Sequence, residues 1–463
     1  MKIFRKKSIE EIIANAKKNP LKRTLGVFDL VMIGVGCAIG MGVFVITGIV
    51  AAKYAGPAVS LSYFIAAVVC ILAALTYAEF ASMVPVSGSA YTYSYALMGE
   101  FLAWVVGWGL VLEYGIGASV VGSGWSGYVV GILKTIGYIV PEHFTKSPAD
   151  GGIINIPAMA IIFFIGVLVY RGTKESVMLN RILVGIKLTV IFIFLIIAAP
   201  MVQTSNWSNF MPFGFQGVLV GAAIVFNAYI GFDAVATAAE ECKNPGRDLP
   251  FGIVGSLVVC MVVYISVALV LTGIADFSTL NNPEPLARAL RENGSTVSSA
   301  LIATGSLAGI TSVLLILIYG QSRIFFVMSR DGLIPPIFSK MHKKFDTPNF
   351  SVALTTIVSM LVAGLFPLEL LSSLTCIGTL FCFIIVAIGV YVLRHTEPNI
   401  KRTFKCPAIG IVMPLSVLSC GYLIFTLLPR NGLYFLLWTL AGLVVYFCYG
   451  YRKSPLNKHS KTK

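Results

Sequence analysis

Apolar residues fill the chain in long, nearly unbroken blocks, and polar residues collect in short stretches between them. A helix that crosses the hydrocarbon of a bilayer needs about 20 consecutive apolar residues. Twelve blocks meet that length, at roughly 27–52, 57–83, 98–130, 154–170, 178–200, 216–240, 251–273, 299–328, 350–366, 370–393, 410–428 and 432–450. Each predicts a spanning helix. The third and eighth are long enough to tilt or to project into a loop.

Two blocks are interrupted. In the first, "MIGVGCAIGMGVFVI" (32–46) carries Gly34, Gly36, Gly40 and Gly42, with Gly48 just beyond. A phosphate-cradling glycine loop needs a strand before it and a soluble helix after it. Here the flanks are "TLGVFDLVMIG" and "GVFVITGIVAAK", both membrane-compatible, and the third glycine comes one residue late. Close helix packing through small residues is a second reading. The third is a discontinuous helix, which membrane depth tolerates only where the unwound backbone lines a protected cavity. The sixth block decides between them: in "FNAYIGFDAVATAAEE" (226–241), Asn227, Gly231 and Asp233 interrupt an apolar run. Breaks at corresponding places in two five-helix halves are the pattern of an inverted-repeat transporter. Half-helix N-termini offer free amides to a carboxylate, and opposing carbonyls can accept from an ammonium. Such a site suits an α-amino acid zwitterion.

Composition agrees. The 463 residues are 57% hydrophobic and 12% charged, with a mean hydropathy of +0.87; soluble domains carry roughly 25% charged residues. One polytopic membrane domain accounts for this. With the N-terminus in the cytoplasm, 27 of the 34 Lys and Arg fall at or near the inner side, six on the outer side, and one, Lys187, remains inside the membrane. That asymmetry places both termini in the cytoplasm and makes the net charge of +14 a topology signal. A nucleic-acid surface is the weaker reading, because the basic residues are divided among six segments.

The first 26 residues lack the apolar core of a secretion signal and read as a basic cytosolic arm. Nine cysteines, with no CxxC and no His at ligand spacing, predict neither disulfides nor zinc. No HExxH, phosphate loop or GxSxG is present, which argues against an enzyme. One broken-helix pair fits alternating access better than a channel filter.

Three longer stretches carry a family resemblance: "ALTYAEFASMVPVSGSAYTYSYALMGEFLAWVVGW" (74–108), "AAEECKNPGRDLPFGI" (238–253) and "YGQSRIFFVMSRDGLIP" (319–335). From about Leu21 to Tyr451 the chain resembles the amino acid–polyamine–organocation superfamily of transporters, closest to its cationic amino acid transporter branch. The resemblance implies an all-α polytopic fold of the leucine-transporter type. Spans 1–5 and 6–10 form a five-plus-five inverted repeat (27–393), two extra helices follow (394–450), and a cytosolic tail closes the chain (451–463). It also implies that the amides of Met41 and Gly42 meet the substrate carboxylate, with Gly40 permitting the turn. Carbonyls of Ala38, Asn227, Ala228 and Ile230 receive the ammonium. Two positions depart from the pattern: Met41 stands where a small hydroxyl residue is common, and Asn227 where an aromatic lid is common.

Charges inside the membrane are expensive and so point to function. Lys187 lies more than two helical turns inside the fifth span. By resemblance its ammonium takes the place of the cation of sodium-coupled relatives, bonds carbonyls of the unwound first helix, and couples transport to protons. A fixed structural lysine is the alternative. Asp233 either caps the second half of span 6 or contacts substrate. Glu113, in mid-span 3, faces the pocket and favours a cationic side chain, or holds a packing hydrogen bond. By resemblance, Leu317 borders the side-chain pocket and favours small or medium neutral substrates. Arg323, Arg330 and Asp331, with Glu79, Glu240 and Glu241, are expected to form a charged latch at the cytoplasmic ends, topology anchoring being the alternative.

The expectation is a twelve-helix transporter of the cytoplasmic membrane that imports L-amino acids with protons. Exchange and amino acid sensing are the alternatives. Its partners are the amino acid, protons and the bilayer; no cofactor, metal or nucleic acid is called for, and a small membrane subunit stays open.

Overall fold

A computed structural model of the chain describes residues 24–83, 90–345, 347–400 and 402–454; side chains at 173–181, 237, 239 and 240 are outside that description. Residues 1–23 of the expected arm and 455–463 of the expected tail also lie outside it. Among the described residues every regular element is helical, and eight helical segments are long and apolar enough to cross a membrane. Three shorter apolar helices join them. The protein is an all-helical, multi-pass membrane protein.

In chain order the principal helices are α1 (Val27–Ala38), α2 (Val59–Met83), α3 (Glu100–Thr135), α4 (Ile156–Arg171), α5 (Thr173–Ala198) and α6 (Gly214–Val225). They continue with α7 (Pro245–Ile274), α8 (Thr296–Arg330), α9 (Asn349–Leu365), α10 (Leu368–Thr396) and α11 (Ile409–Val445). Local chemistry sets their starts. Asn155 caps α4, its side chain accepting from the Ala158 amide at 3.2 Å, with Pro157 in the first turn. At the centre, α3 packs against α8 and α10, α7 against α2 and α1, and α5 against α8.

Two long helical segments turn back on themselves. Gly42–Met83 reverses at Gly56–Ala58, where Gly56 takes φ +62°, a value open to glycine. Ile409–Lys453 has 45 residues, about 67 Å of helix and twice a bilayer's hydrocarbon core. Its midpoint, Arg430, lies 3.6 Å from Glu369 in the first turn of α10. Cys406, just before the segment, accepts from Arg394 in the last turn of α10 at 2.8 Å, and Ser454, just after it, donates to Glu100 at 2.5 Å. The segment therefore reverses at Pro429–Arg430. A separate loop between 428 and 432 was expected; instead helical winding persists through the corner.

Several of the residues expected to form a latch have partners among the described contacts. Glu79, on α2 and wholly buried, accepts from Arg394 at 2.9 and 2.5 Å and from the Cys406 amide at 2.7 Å, with Arg402 at 3.5 Å. It ties the α10–α11 connection to α2. Asp331 accepts from Tyr91 at 3.0 Å, and Arg323 stacks on Tyr319. The Glu241 carbonyl accepts the amides of Thr24 and Leu25, and the Glu240 side chain falls outside the described residues. Removing one partner of a buried ion pair costs about 3–5 kcal/mol, so Glu79→Leu is expected to lower the thermal midpoint of the detergent-solubilised protein sharply. An unchanged midpoint would contradict this assignment.

Candidate functional site

Helix α1 stops at Ala38 because Ile39 leaves helical geometry (φ −71°, ψ 108°), and winding resumes as a wide turn at Gly42–Ile46. Opposite it, α6 ends at Val225. A tight turn, Phe226–Tyr229, leads to extended Ile230 (ψ 136°) and to Gly231 at φ +113°. From Phe232 to Glu241 the chain winds as a narrow 3-10 helix, where the second half of a broken α-helix was expected. The two breaks touch: a Cβ on Gly42 would lie 2.3 Å from Ala228 Cβ, and one on Gly231 would lie 3.2 Å from the Cys37 carbonyl carbon. Only bare glycine backbone permits these approaches.

A broken helix leaves carbonyls without their amides, and buried ones need partners. Side chains from four other helices bond to carbonyls here. Tyr128 donates to the Phe44 carbonyl at 2.8 Å and Tyr264 to Ala228 at 2.7 Å, while Tyr63 adds a bond at 3.0 Å to the Gly42 carbonyl, which already accepts the Thr47 amide. The ammonium of Lys187, wholly buried on α5, donates to the carbonyls of Gly36 and Ile39 (2.6 Å to Ile39) and to the Ser312 hydroxyl on α8 at 3.2 Å. Gly309 on α8 makes room for the lysine stem, since a Cβ there would sit 2.8 Å from Lys187 Cβ.

Between the breaks lies a cavity. Of the residues singled out from sequence, Ala38, Gly40, Met41, Gly42, Glu113, Asn227, Ile230 and Leu317 line it. Lys187, Ala228 and Asp233 do not. Lys187 sits behind the α1 break. Ala228 faces Gly42, and its carbonyl accepts from Tyr264. Asp233 is buried, its carboxylate met by the amides of Gly231, Asp233 and Ala234 and by the Tyr114 hydroxyl; this is the arrangement of a turn cap. Glu113 borders the cavity and also accepts from Thr379 of α10 at 2.7 Å.

Sequence reading missed several lining residues. Tyr114, Gly117 and Val121 follow Glu113 at helical spacing, and Val313 and Ile316 precede Leu317 likewise. That period was the available signal. Thr375 of α10 and the three capping tyrosines carried none.

The whole architecture has recognisable relatives. The model of the amino acid permease family matches residues 25–448. A methylthioribose transporter of Bacillus subtilis (strain 168) is 44% identical over 98% of this chain and 99% of its own length. The branched-chain amino acid permease BcaP of the same organism is also 44% identical, over the same shares. The chloroplastic cationic amino acid transporter 9 of Arabidopsis thaliana is 41% identical over 86% of this chain and 71% of its own. These relatives are transporters rather than enzymes, and with a family match that runs nearly end to end, the chain belongs to the amino acid permease family.

Proposed function

We propose that this protein imports neutral L-amino acids across the cytoplasmic membrane together with protons. In this reading it has twelve spans, a five-plus-five inverted repeat and two further helices, and both termini are cytoplasmic. The basic-residue asymmetry along the chain supports that orientation, which makes the Arg394 end of α10 the inner end.

The observation that carries the reading is the cavity between two helix breaks, with a buried lysine bonded to one of them. The amides of Met41 and Gly42 open the second half of the first span, where a carboxylate is favoured. The carbonyls of Ala38 and Ile230 and the Asn227 side chain offer acceptors to an ammonium. Val121, Ile316 and Leu317 give the cavity an apolar wall, which suits an aliphatic side chain. The name of the Bacillus subtilis relative BcaP agrees with that choice.

Labelled L-alanine and L-valine uptake into sodium-free proteoliposomes, with and without an inside-alkaline gradient, is the test. Accumulation is expected only with the gradient. One pH unit supports about tenfold accumulation for one proton per substrate, since about 1.36 kcal/mol is a factor of ten. Uptake that requires preloaded amino acid instead would establish exchange. Uptake of methylthioribose with no amino acid uptake would overturn the substrate class.

A further inference from the structure

We propose that Met41 and Gly124 together set how large a substrate side chain the cavity admits; this rests on the functional reading above. Met41 is buried and lines the cavity. On its other side its side chain lies flat against the backbone of α3 at Gly124. A Cβ on Gly124 would stand 2.6 Å from Met41 Cγ and 2.7 Å from its Sδ, and 3.5 Å from Val45 Cγ2. Glycine 124 is therefore the bare seat that keeps the thioether out of the site.

The position on α3 makes the consequence specific. Gly117 and Val121 line the cavity, and Gly124 continues the same helical face at the i, i+4, i+7 spacing. Because the clash involves Cγ, close to the Met41 backbone, a shift of the chain's tip cannot relieve it. The side chain must leave its rotamer, and the open side is the cavity that it lines. At the far end Leu317 lies 3.5 Å from the place a Gly117 Cβ would occupy, so space lost at Met41 has no compensation there.

The experiment measures uptake of glycine, L-alanine, L-valine and L-leucine by four proteins in proteoliposomes: unaltered, Gly124→Ala, Met41→Ala and the double variant. In Gly124→Ala, valine and leucine uptake is expected to fall relative to alanine by about tenfold or more for each methylene excluded. The double variant recovers valine. Met41→Ala alone, which needs no repacking on α3, raises leucine relative to alanine. A uniform loss across the series in Gly124→Ala, not relieved by Met41→Ala, would overturn the inference and leave Gly124 a packing residue. An unaltered size profile in both single variants would overturn it too. Failure of the functional reading looks different: the unaltered protein itself would take up none of the four amino acids, and this inference would fall with it.

Discussion

Lys187→Ala is expected to reduce amino acid accumulation driven by a pH gradient to the level seen with no gradient, while counterflow of labelled against unlabelled substrate at equal pH persists. The reasoning starts from the donor count. An ammonium has three protons and no acceptor, and the carbonyls of Gly36 and Ile39 and the Ser312 hydroxyl take all three. Gly36 and Ile39 flank the end of α1, and Ser312 belongs to α8, so the charged lysine joins the first-span break to another helix. Deprotonation removes one donor and with it one of those ties. A protein that binds substrate at a break held in this way links proton release to the freedom of that break. Alanine abolishes the link permanently. It also leaves buried acceptors unpaired, at about 1–3 kcal/mol each, so Lys187→Met, which keeps the stem, is the companion variant. Normal proton-driven accumulation in either would sink the coupling assignment. Loss of counterflow as well would make Lys187 a brace for the break.

Gly42→Val is expected to abolish saturable uptake, with affinity weakened about hundredfold or more, the scale on which 1 Å misplacements are felt. The atoms a Cβ would meet are Ala228 Cβ at 2.3 Å and Ala228 Cα at 2.6 Å. The second is backbone, so no rotamer change relieves the contact and the two breaks must part. The amides at Met41 and Gly42 move with them. Gly42→Ala should show the same direction at smaller size, and Gly36→Ala, whose nearest neighbours would be Val184 side-chain atoms at 3.3 Å, should do much less. Unchanged substrate affinity in Gly42→Val would count against a site between the breaks.

Much of this site could be read in the chain because its signals are local. Glycines and an Asn-Gly-Asp interruption stand out in apolar runs, since unwinding at membrane depth needs residues that tolerate it and a cavity to line. Lys187 stands out because a charge among apolar residues has a large desolvation cost. The lining residues beside Glu113 and Leu317 lie within about two helical turns of those two positions. The narrow winding of Phe232–Glu241 was not visible, because 3-10 and α-helix share the same residue preferences and differ in how tightly neighbours compress the turn.

The sequence alone determined that this is a helical membrane protein of many passes, and where two helices are interrupted: hydrophobic length and glycine placement act within one segment and need no partner. The tertiary structure decided who satisfies whom. Glu79 meets Arg394 across 315 residues of chain; Tyr63, Tyr128 and Tyr264 cap carbonyls of other helices; and Gly124 gives Met41 a place to lie. The tyrosines and Gly124 have an ordinary look in an apolar run. Their meaning comes from low-dielectric packing, where an orphaned carbonyl or a misplaced methyl is costly, and only the folded arrangement says which atoms would be orphaned or displaced.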